Sequence, residues 1–198
     1  MNLLLEVEKQ LLESAKVKER LAEESAHKIV EITEAIIQAL QRGRKILLCG
    51  NGGSAAEAQH IAGELVVRLS KFERQALPAI ALTTDSSIIT AEGNDHSFET
   101  VFSRQIEALG YPGDLLIALS TSGNSLNIIT AIEKAKEKKL VTVGFTGGGG
   151  GRLSEICDFA LCVPANEVTR IQEGHTVIGH IICELIEEEL FEKQKEET

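Results

Sequence analysis

The sequence has 198 residues, 43% of them hydrophobic and 25% charged, a composition typical of one soluble globular domain. Its formal net charge of −10 argues against nucleic acid or an anionic membrane surface as a partner, since both attract basic faces. No apolar run approaches the ~20 residues of a membrane span. The N-terminus, MNLLLEVEKQ, lacks the basic segment and cleavage site of a signal peptide, so we expect a cytoplasmic protein.

Residues 2–44 are predicted to form two amphipathic helices. The apolar positions at helical spacing are Leu4, Leu5, Leu11 and Leu12 in the first, and Ile29, Ile32, Ile36 and Leu40 in the second. Two such helices ahead of the first strand cannot easily bury both apolar faces against one sheet. We therefore expect residues 1–44 to form a helical arm for oligomerisation; the alternative is a layer that merely covers the sheet.

From Lys45 onward, short apolar segments alternate with amphipathic ones. The predicted strands are residues 45–49, 78–82, 114–119, 140–145 and 159–163, and the predicted helices are residues 54–69, 86–92, 98–109, 125–138, 152–157 and 169–193. This alternation predicts an α/β fold: a doubly wound, parallel five-stranded sheet in a domain spanning residues 45–198. Ligands of such sheets bind outside the carboxyl ends of the strands, so the loops from strand to helix are where a site is expected.

Two of these loops are rich in glycine and small polar residues. The first, GNGGS at residues 50–54, follows the strand KILLC, and the second, STSGNS at residues 120–125, follows DLLIAL. Each places free backbone N–H groups at a helix N-terminus, where the helix dipole favours an anion, and the second adds hydroxyl donors. The structural alternative for the second loop is a tight turn with Ser125 as an N-cap.

The composition of these loops favours a sugar phosphate over a nucleotide. The dinucleotide pattern G-x-G-x-x-G is absent after the first strand, and so is the G-K-[ST] phosphate-binding lysine. Neither loop contains Lys or Arg, so neutral donors and helix ends are expected to hold a monophosphate. A separate run, Gly147–Gly151, favours a mobile loop or a close approach between backbone segments over a packed element.

Two predicted helices carry candidate reactive side chains. His60 and Glu64 are four residues apart and project from one face of their helix, so they could share a metal ion; the structural alternative is a surface hydrogen-bonded pair. On the last helix, Gln172 and His180 are separated by about 12 Å along the axis and about 80° around it. Spacing alone therefore favours Gln172 with His175, but it does not settle the pairing.

Several motifs occur in the order found in a known family. They are GNGGS (50–54), A-x-H-x-A-x-E-L (58–65), PAIAL (78–82), GND (93–95), STSGNS (120–125) and R-I-Q-E-x-H-x-x-x-x-H (170–180). Together they resemble phosphoheptose isomerases of the sugar isomerase (SIS) superfamily, from about residue 45 to residue 190. The resemblance implies a flavodoxin-like fold and a homotetramer with active sites between subunits. It also implies conversion of sedoheptulose 7-phosphate to D-glycero-D-manno-heptose 7-phosphate, the first step toward the ADP-heptose of lipopolysaccharide.

The resemblance also implies roles for individual residues. One zinc ion per subunit would be bound by His60, Glu64, Gln172 and His180, so the resemblance selects His180 over His175. The substrate contacts would be Asn51, Gly52, Gly53, Ser54, Glu64, Asn94, Asp95, Ser120, Thr121, Ser122, Ser125 and Gln172. Glu64 is the expected base for the transfer of a proton from C1 to C2, and His180 the expected acid–base group for the two oxygens.

Two other functions fit parts of the pattern. A non-enzymatic relative that binds the bacterial replication initiator DnaA resembles the chain over much of its length, including a related Gly/Ser loop. It has no need of the acid in the His60–Glu64 pair, so that pair favours the enzyme. A sugar-phosphate sensor or an amino-sugar isomerase of the same superfamily is the other alternative, although such isomerases generally need no metal-binding quartet.

Overall fold

The computed structural model describes residues 1–69 and 73–192 of the chain. The helices are α1 (Leu3–Gln41), α2 (Gly53–Val66), α3 (Ser86–Asp95), α4 (Ser103–Leu109), α5 (Leu126–Glu137), α6 (Gly151–Ile156) and α7 (Val168–Glu187). The strands are β1 (Ile46–Gly50), β2 (Ala79–Ala81), β3 (Leu115–Leu119), β4 (Val141–Gly147) and β5 (Phe159–Val163), so all five predicted strands are confirmed. A 3₁₀ turn at Phe98–Thr100 interrupts the predicted helix 98–109, and a π-helical turn at Glu188–Glu192 continues α7. The last residue predicted to be helical, Lys193, and the end of the predicted domain lie outside the described residues.

The sheet is parallel throughout, with the strand order β2-β1-β3-β4-β5. This is the flavodoxin-like order, as expected. The chain turns in opposite directions after β1 and after β3, so the loops that follow these neighbouring strands diverge. A crevice at the carboxyl edge of the sheet is the consequence, and it lies where the two Gly/Ser-rich loops begin.

Helices cover both faces of the sheet, because β1 and β3 are apolar at successive positions. Leu48 and Ile117 pack into one core with α1, α2 and α7, whereas Leu47 and Ala118 pack into a second core with α4, α5 and α6. The helices that carry the candidate reactive side chains, α2 and α7, therefore lie on the same face. The helix after the second loop, α5, lies on the opposite face.

One helix, α1, replaces the two helices predicted for residues 2–44. The prediction was wrong because no glycine or proline occurs before Gly43, so nothing ends the first helix. The C-terminal half of α1 packs on the domain through residues such as Ile32 and Ile36, while Leu4 and Leu11 near its start are 65% and 67% exposed. The C-terminal half of α1 thus covers the domain, while the beginning of the same helix is exposed. Neither α1 nor another helix of the described ranges is both long and apolar enough to cross a membrane.

Candidate active site

The first Gly/Ser-rich loop opens α2 without a side-chain cap. Gly52 is the N-cap residue, with a φ of 55°, and no side chain bonds to the first turn. Ser54 and Ala55 donate their N–H groups to the Asn51 and Gly52 carbonyls, so within the described ranges the N–H groups of Gly52 and Gly53 are those available to an anion. Asn51 exchanges two amide hydrogen bonds of 2.9 Å with Asn127 of α5, which ties the two loops together, and Ser54 is buried.

The second loop presents two hydroxyl groups at the start of α5. Ser125 occupies the N-cap position, but its side chain does not cap the helix; its Oγ lies 3.2 Å from Oγ of Ser120. Ser125 is thus the N-cap residue by position, as the structural alternative expected, but its side chain makes no capping hydrogen bond. The turn itself is held by Asn124, whose N–H donates to Ser122 Oγ at 3.2 Å and whose Nδ2 donates to the Ser122 carbonyl at 2.9 Å.

The five-glycine run packs against this second loop. The Thr121 carbonyl accepts from the Gly147 N–H at 3.2 Å, and the Gly123 carbonyl accepts from the Leu153 N–H at 2.9 Å. A Cβ on Gly123 would collide with the carbonyl of Gly150, so side chains cannot fit between the segments. Of the two structures favoured for the run, close backbone approach is the one found. The two segments line a cleft of about 380 Å³ at the edge of the sheet.

Three of the four side chains proposed as metal ligands come together between α2 and α7. His60 Nε2 lies 3.2 Å from Glu64 Oε1 and 3.2 Å from His180 Nε2, and the two imidazole rings meet edge to face at 4.8 Å. One donor atom from each of the three residues lies within 4.8 Å of the others. Glu64 and His180 are half-buried and His60 is more open, so the cluster faces solvent on one side.

The donor set of this cluster fits zinc. Two imidazole nitrogens and a carboxylate oxygen are ligands that zinc commonly takes, and donors ~2.0–2.1 Å from a tetrahedral zinc ion lie about 3.3 Å from one another. The two distances of 3.2 Å from His60 Nε2 match that spacing. Three electron-pair donors that converge in this way repel one another unless a proton or a cation lies among them.

The other proposed ligand, Gln172, lies over the first loop. A Cβ on Gly53 would collide with the Gln172 amide, so the side chain reaches the N-terminus of α2, two turns of α7 before His180. It does not return to the N-terminus of its own helix, because the N-cap of α7 is Glu167 and has no side-chain bond. Gln172 is therefore placed between the helix end that suits an anion and the histidine cluster.

His175, the partner that spacing favoured for Gln172, points away from the cluster. It is 1% exposed, its Nε2 lies 3.0 Å from the Thr146 carbonyl, and its ring tilts against Phe145 at 5.8 Å. Burial lowers the pKa of His175 to about 4, and the hydrogen bond with Thr146 opposes part of that shift. His175 is a neutral core residue, and the pairing favoured by spacing is wrong.

Asn94 and Asp95 lie at the carboxyl end of α3. The Asn94 Nδ2 donates to Asp95 Oδ1 at 2.8 Å, and both side chains are exposed. Within residues 1–69 and 73–192, no recorded hydrogen bond or ion pair joins either of them to the histidine cluster.

A buried ion pair holds the end of α2 that carries Glu64. Arg74 Nε lies 2.6 Å from Glu187 Oε1, and both side chains are 1% exposed. The same guanidinium donates to the Glu64 carbonyl at 2.7 Å, while Glu187 accepts from the Leu69 N–H at 2.9 Å. This arrangement ties the last turn of α2 to the end of α7, so the backbone beneath Glu64 is fixed.

Two further residues shape the site and were not predicted from the sequence. A Cβ on Gly179 would stand 2.9 Å from the Ile61 side chain, so the absence of a side chain lets α7 approach α2 and brings His180 to His60. Glu57, one turn before His60, lies between the same two helices and contacts both. Its place three residues before a candidate ligand was the available signal, but acids are common at such positions on any helix.

Comparison with known proteins identifies the class of this fold and site. A family model described as SIS domain matches residues 11–147, which makes the chain a SIS-domain protein. A phosphoheptose isomerase from Aquifex aeolicus is 52% identical over 191 residues, 96% of this chain and 100% of that protein. Another, from Clostridium acetobutylicum, is 48% identical over 193 residues, 96% of this chain and 98% of that protein.

Solved structures of phosphoheptose isomerases also match the chain over most of its length. The phosphoheptose isomerase from Neisseria gonorrhoeae matches with a TM-score of 0.89 at 40% identity, covering 94% of this chain and 99% of that one. The enzyme from Francisella tularensis matches with a TM-score of 0.90 at 37% identity, covering 94% and 98%. The chain therefore belongs to the phosphoheptose isomerase family, whose members are aldose–ketose isomerases of sugar phosphates.

Proposed function

We propose that the protein converts sedoheptulose 7-phosphate to D-glycero-D-manno-heptose 7-phosphate in the cytoplasm, as the first step toward the ADP-heptose of lipopolysaccharide. The observation that carries this proposal is the convergence of His60, Glu64 and His180 between α2 and α7. His60 and Glu64 lie on the helix that begins at the first Gly/Ser-rich loop, so a phosphosugar anchored at the loops can extend toward the cluster. Membership of the family supplies the seven-carbon substrate.

The phosphate would be held by dipoles and hydroxyl groups. The start of α2, at Gly52 and Gly53, offers N–H groups, and the start of α5 adds the hydroxyls of Ser120 and Ser125, 3.2 Å apart. The remaining proposed contacts of this kind are Asn51, Ser54, Thr121 and Ser122. A dianion at two helix N-termini is stabilised even though the protein as a whole is negatively charged.

The proton transfer is assigned to Glu64 and His180. An isomerisation of this type removes a proton from C1, returns it to C2 and moves a proton between the two oxygens, through an enediolate. Glu64 is the base for the carbon proton, and His180 is the acid–base group for the oxygens. His60, 3.2 Å from both, keeps them adjacent.

One zinc ion per subunit would be held by His60, Glu64, Gln172 and His180. When bound, such an ion acts as a Lewis acid that stabilises negative charge on the substrate oxygens. A carboxylate that binds a metal is a weaker base, so Glu64 either leaves the ion during turnover or the ion mainly organises the site. Elemental analysis of protein purified without chelator tests the assignment, which fails if no metal is bound.

The decisive test of the base is Glu64→Gln, which keeps the size of the side chain and removes its basicity. Turnover of sedoheptulose 7-phosphate should fall by about 10²–10⁴-fold, the usual contribution of such a group. Glu92→Gln is the matched control, because Glu92 also lies beside a histidine, with Oε2 3.1 Å from His96 Nδ1, but outside the cluster. Near-normal turnover of Glu64→Gln would remove Glu64 from its role, and turnover of fructose 6-phosphate at the same rate would remove the substrate assignment.

The active unit would be a homotetramer with active sites between subunits and residues 1–44 as its arm. Two features support this assembly: the exposed leucines at the start of α1, and the apolar groove between α1 and α7 that includes Leu21, Val30 and Ile181. Light scattering should give a mass near four chains. Ile181→Glu should reduce that mass and the turnover together; a monomeric wild type would refute the assembly.

A further inference from the structure

Glu57 is a mostly buried acid to which the proposed chemistry assigns no task. Its side chain is 13% exposed, and its Oε2 accepts from Thr176 Oγ1 of α7 at 2.8 Å. Its Oε1 is buried and has no hydrogen-bond partner within the described residues. A carboxylate in such a place is unfavourable unless a positive charge or an N–H group lies nearby. The surroundings of Glu57 therefore point to a partner of that kind.

The group beside Glu57 is the imidazole of His60. His60 Nδ1 lies 3.6 Å from Glu57 Oε2, while His60 Nε2 lies 3.2 Å from Glu64 Oε1. The ring thus stands between two carboxylates, one on each nitrogen. α7 fixes Glu57 from behind, through the Thr176 hydroxyl and through Gly179, where a Cβ would stand 3.4 Å from Oε1.

Once a cation lies among His60, Glu64 and His180, this arrangement distinguishes the two neutral forms of the ring. With the proton on Nε2, the lone pair of Nδ1 would face the Glu57 carboxylate, which is repulsive. With the proton on Nδ1, that N–H faces Glu57, and the lone pair of Nε2 points to the place shared with Glu64 and His180. A metal-binding imidazole usually donates its other N–H to a carboxylate or carbonyl, which fixes its tautomer and orientation. A movement of the ring of about half an ångström closes 3.6 Å to hydrogen-bond distance.

We propose that Glu57 is a positioning residue of this site: it accepts a hydrogen bond from His60 Nδ1–H and fixes the tautomer whose Nε2 lone pair faces Glu64 and His180. The role rests on the proposed function of the cluster, in which His60 binds a metal through Nε2. It explains why an acid is buried one turn before His60, and why Thr176 of the opposite helix donates to that acid. Glu57 acts through His60 and does not touch the substrate.

The test reads the Nδ1–H proton of His60 directly and does not depend on turnover. Long-range ¹H–¹⁵N correlation spectra of the zinc-loaded protein are recorded at about pH 8.5, well above the ordinary titration range of histidine. The His60 signals are assigned by their loss in His60→Gln. Glu57→Met removes both oxygens at similar side-chain length, Glu57→Gln restores a neutral acceptor, and Thr176→Val is the matched control that keeps the carboxylate. Zinc affinity is measured in the same proteins by competition with a chromophoric chelator.

The wild type and Thr176→Val should show a His60 Nδ1–H proton that exchanges slowly with water, because Glu57 accepts it. Glu57→Met should lose that slow exchange and bind zinc about 10–100-fold more weakly, the usual effect of removing such a partner, and Glu57→Gln should recover part of both. The proposal is overturned if the exchange rate is the same in the wild type and in Glu57→Met, or if these two proteins bind zinc equally tightly. If the wild type binds no zinc, the metal assignment of the proposed function fails together with this role, whereas zinc binding that does not depend on Glu57 overturns this role alone.

Discussion

His175 and His180 lie on the same helix, and each follows a glycine, yet their surroundings are opposite. His175 is 1% exposed and lies 3.0 Å from the Thr146 carbonyl of β4. His180 is half-buried and lies 3.2 Å from the His60 ring of α2. Five residues turn a helix by about 140°, so one histidine faces the sheet and the other faces the neighbouring helix.

The packing of α7, rather than its local sequence, therefore determines the different surroundings of the two histidines. Gly174 allows close contact with Val163 of β5, and Gly179 allows close contact with Ile61 of α2. His175, which follows Gly174, is enclosed and neutral. His180, which follows Gly179, lies beside His60 in the cluster of donor atoms. The same Gly-His dipeptide therefore lies once in the core and once at the cluster to which the chemistry is assigned under the proposed function.

The largest effect expected from this comparison is on turnover. His180→Gln should lower kcat on sedoheptulose 7-phosphate by about 10²–10⁴-fold, because it removes the proposed acid–base group. Substrate binding, followed by calorimetry, and the melting temperature should change little. His175→Gln is the matched control, with the same substitution on the same helix. A loss of binding without a loss of kcat would make His180 a binding group instead.

The pH dependence of stability should sharpen the comparison, since it depends on His175. Burial lowers the pKa of His175 to about 4 in the folded protein, below its ordinary value of 6.5, so the unfolded chain binds this proton more readily. The stabilisation is complete above about pH 6.5 and is lost as the pH falls toward 4, by about 3 kcal/mol in total. Urea unfolding at pH 7 and at lower pH should show a smaller loss in His175→Gln than in the wild type. An equal loss of unfolding free energy in the wild type and in His175→Gln would contradict the low pKa assigned to His175.

The smallest effect expected is the stability change of His175→Gln near neutral pH. Loss of the imidazole packing on Phe145 and disturbance of the bond with Thr146 should lower the free energy of unfolding by about 1–3 kcal/mol. Turnover per folded molecule should stay close to that of the wild type. Chemical denaturation and assays of the soluble fraction check the two halves of this prediction. A strong loss of kcat would break the division of roles between the two histidines.

The sheet and its loops could be predicted because their signals are local. Each strand is a short apolar run, and two of them, KILLC and DLLIAL, are followed directly by glycine or serine, so the composition marks both these strands and the loops at their carboxyl ends. The helical spacing of His60 and Glu64 was similarly sufficient to place them together on α2. These inferences needed no knowledge of which helix packs on which.

The errors have two physical origins, the weak signal of a missing helix breaker and the packing of α7 on α2. The continuity of α1 depends on the absence of a breaker, which is a weaker signal than the presence of one. The choice between His175 and His180 depends on which face of α7 meets α2, and Gly179 decides this only once both helices are in place. Glu57 was overlooked for the same reason, because it becomes notable only when α7 covers it.

Gly149 offers a way to watch this site at work. It lies on the wall of the cleft beside the second Gly/Ser-rich loop, yet a Cβ there would have nothing within 4 Å and its backbone has no left-handed φ, unlike Gly148 and Gly150. In a Cys162→Ala background, which removes the half-buried native thiol beside the run, Gly149→Cys would carry a fluorophore at a position with free space around it. Burial raises the pKa of the native Cys157 and Cys183 thiols to about 12, so they should react slowly with the label. The arrival of a phosphosugar would then be read as a change in emission.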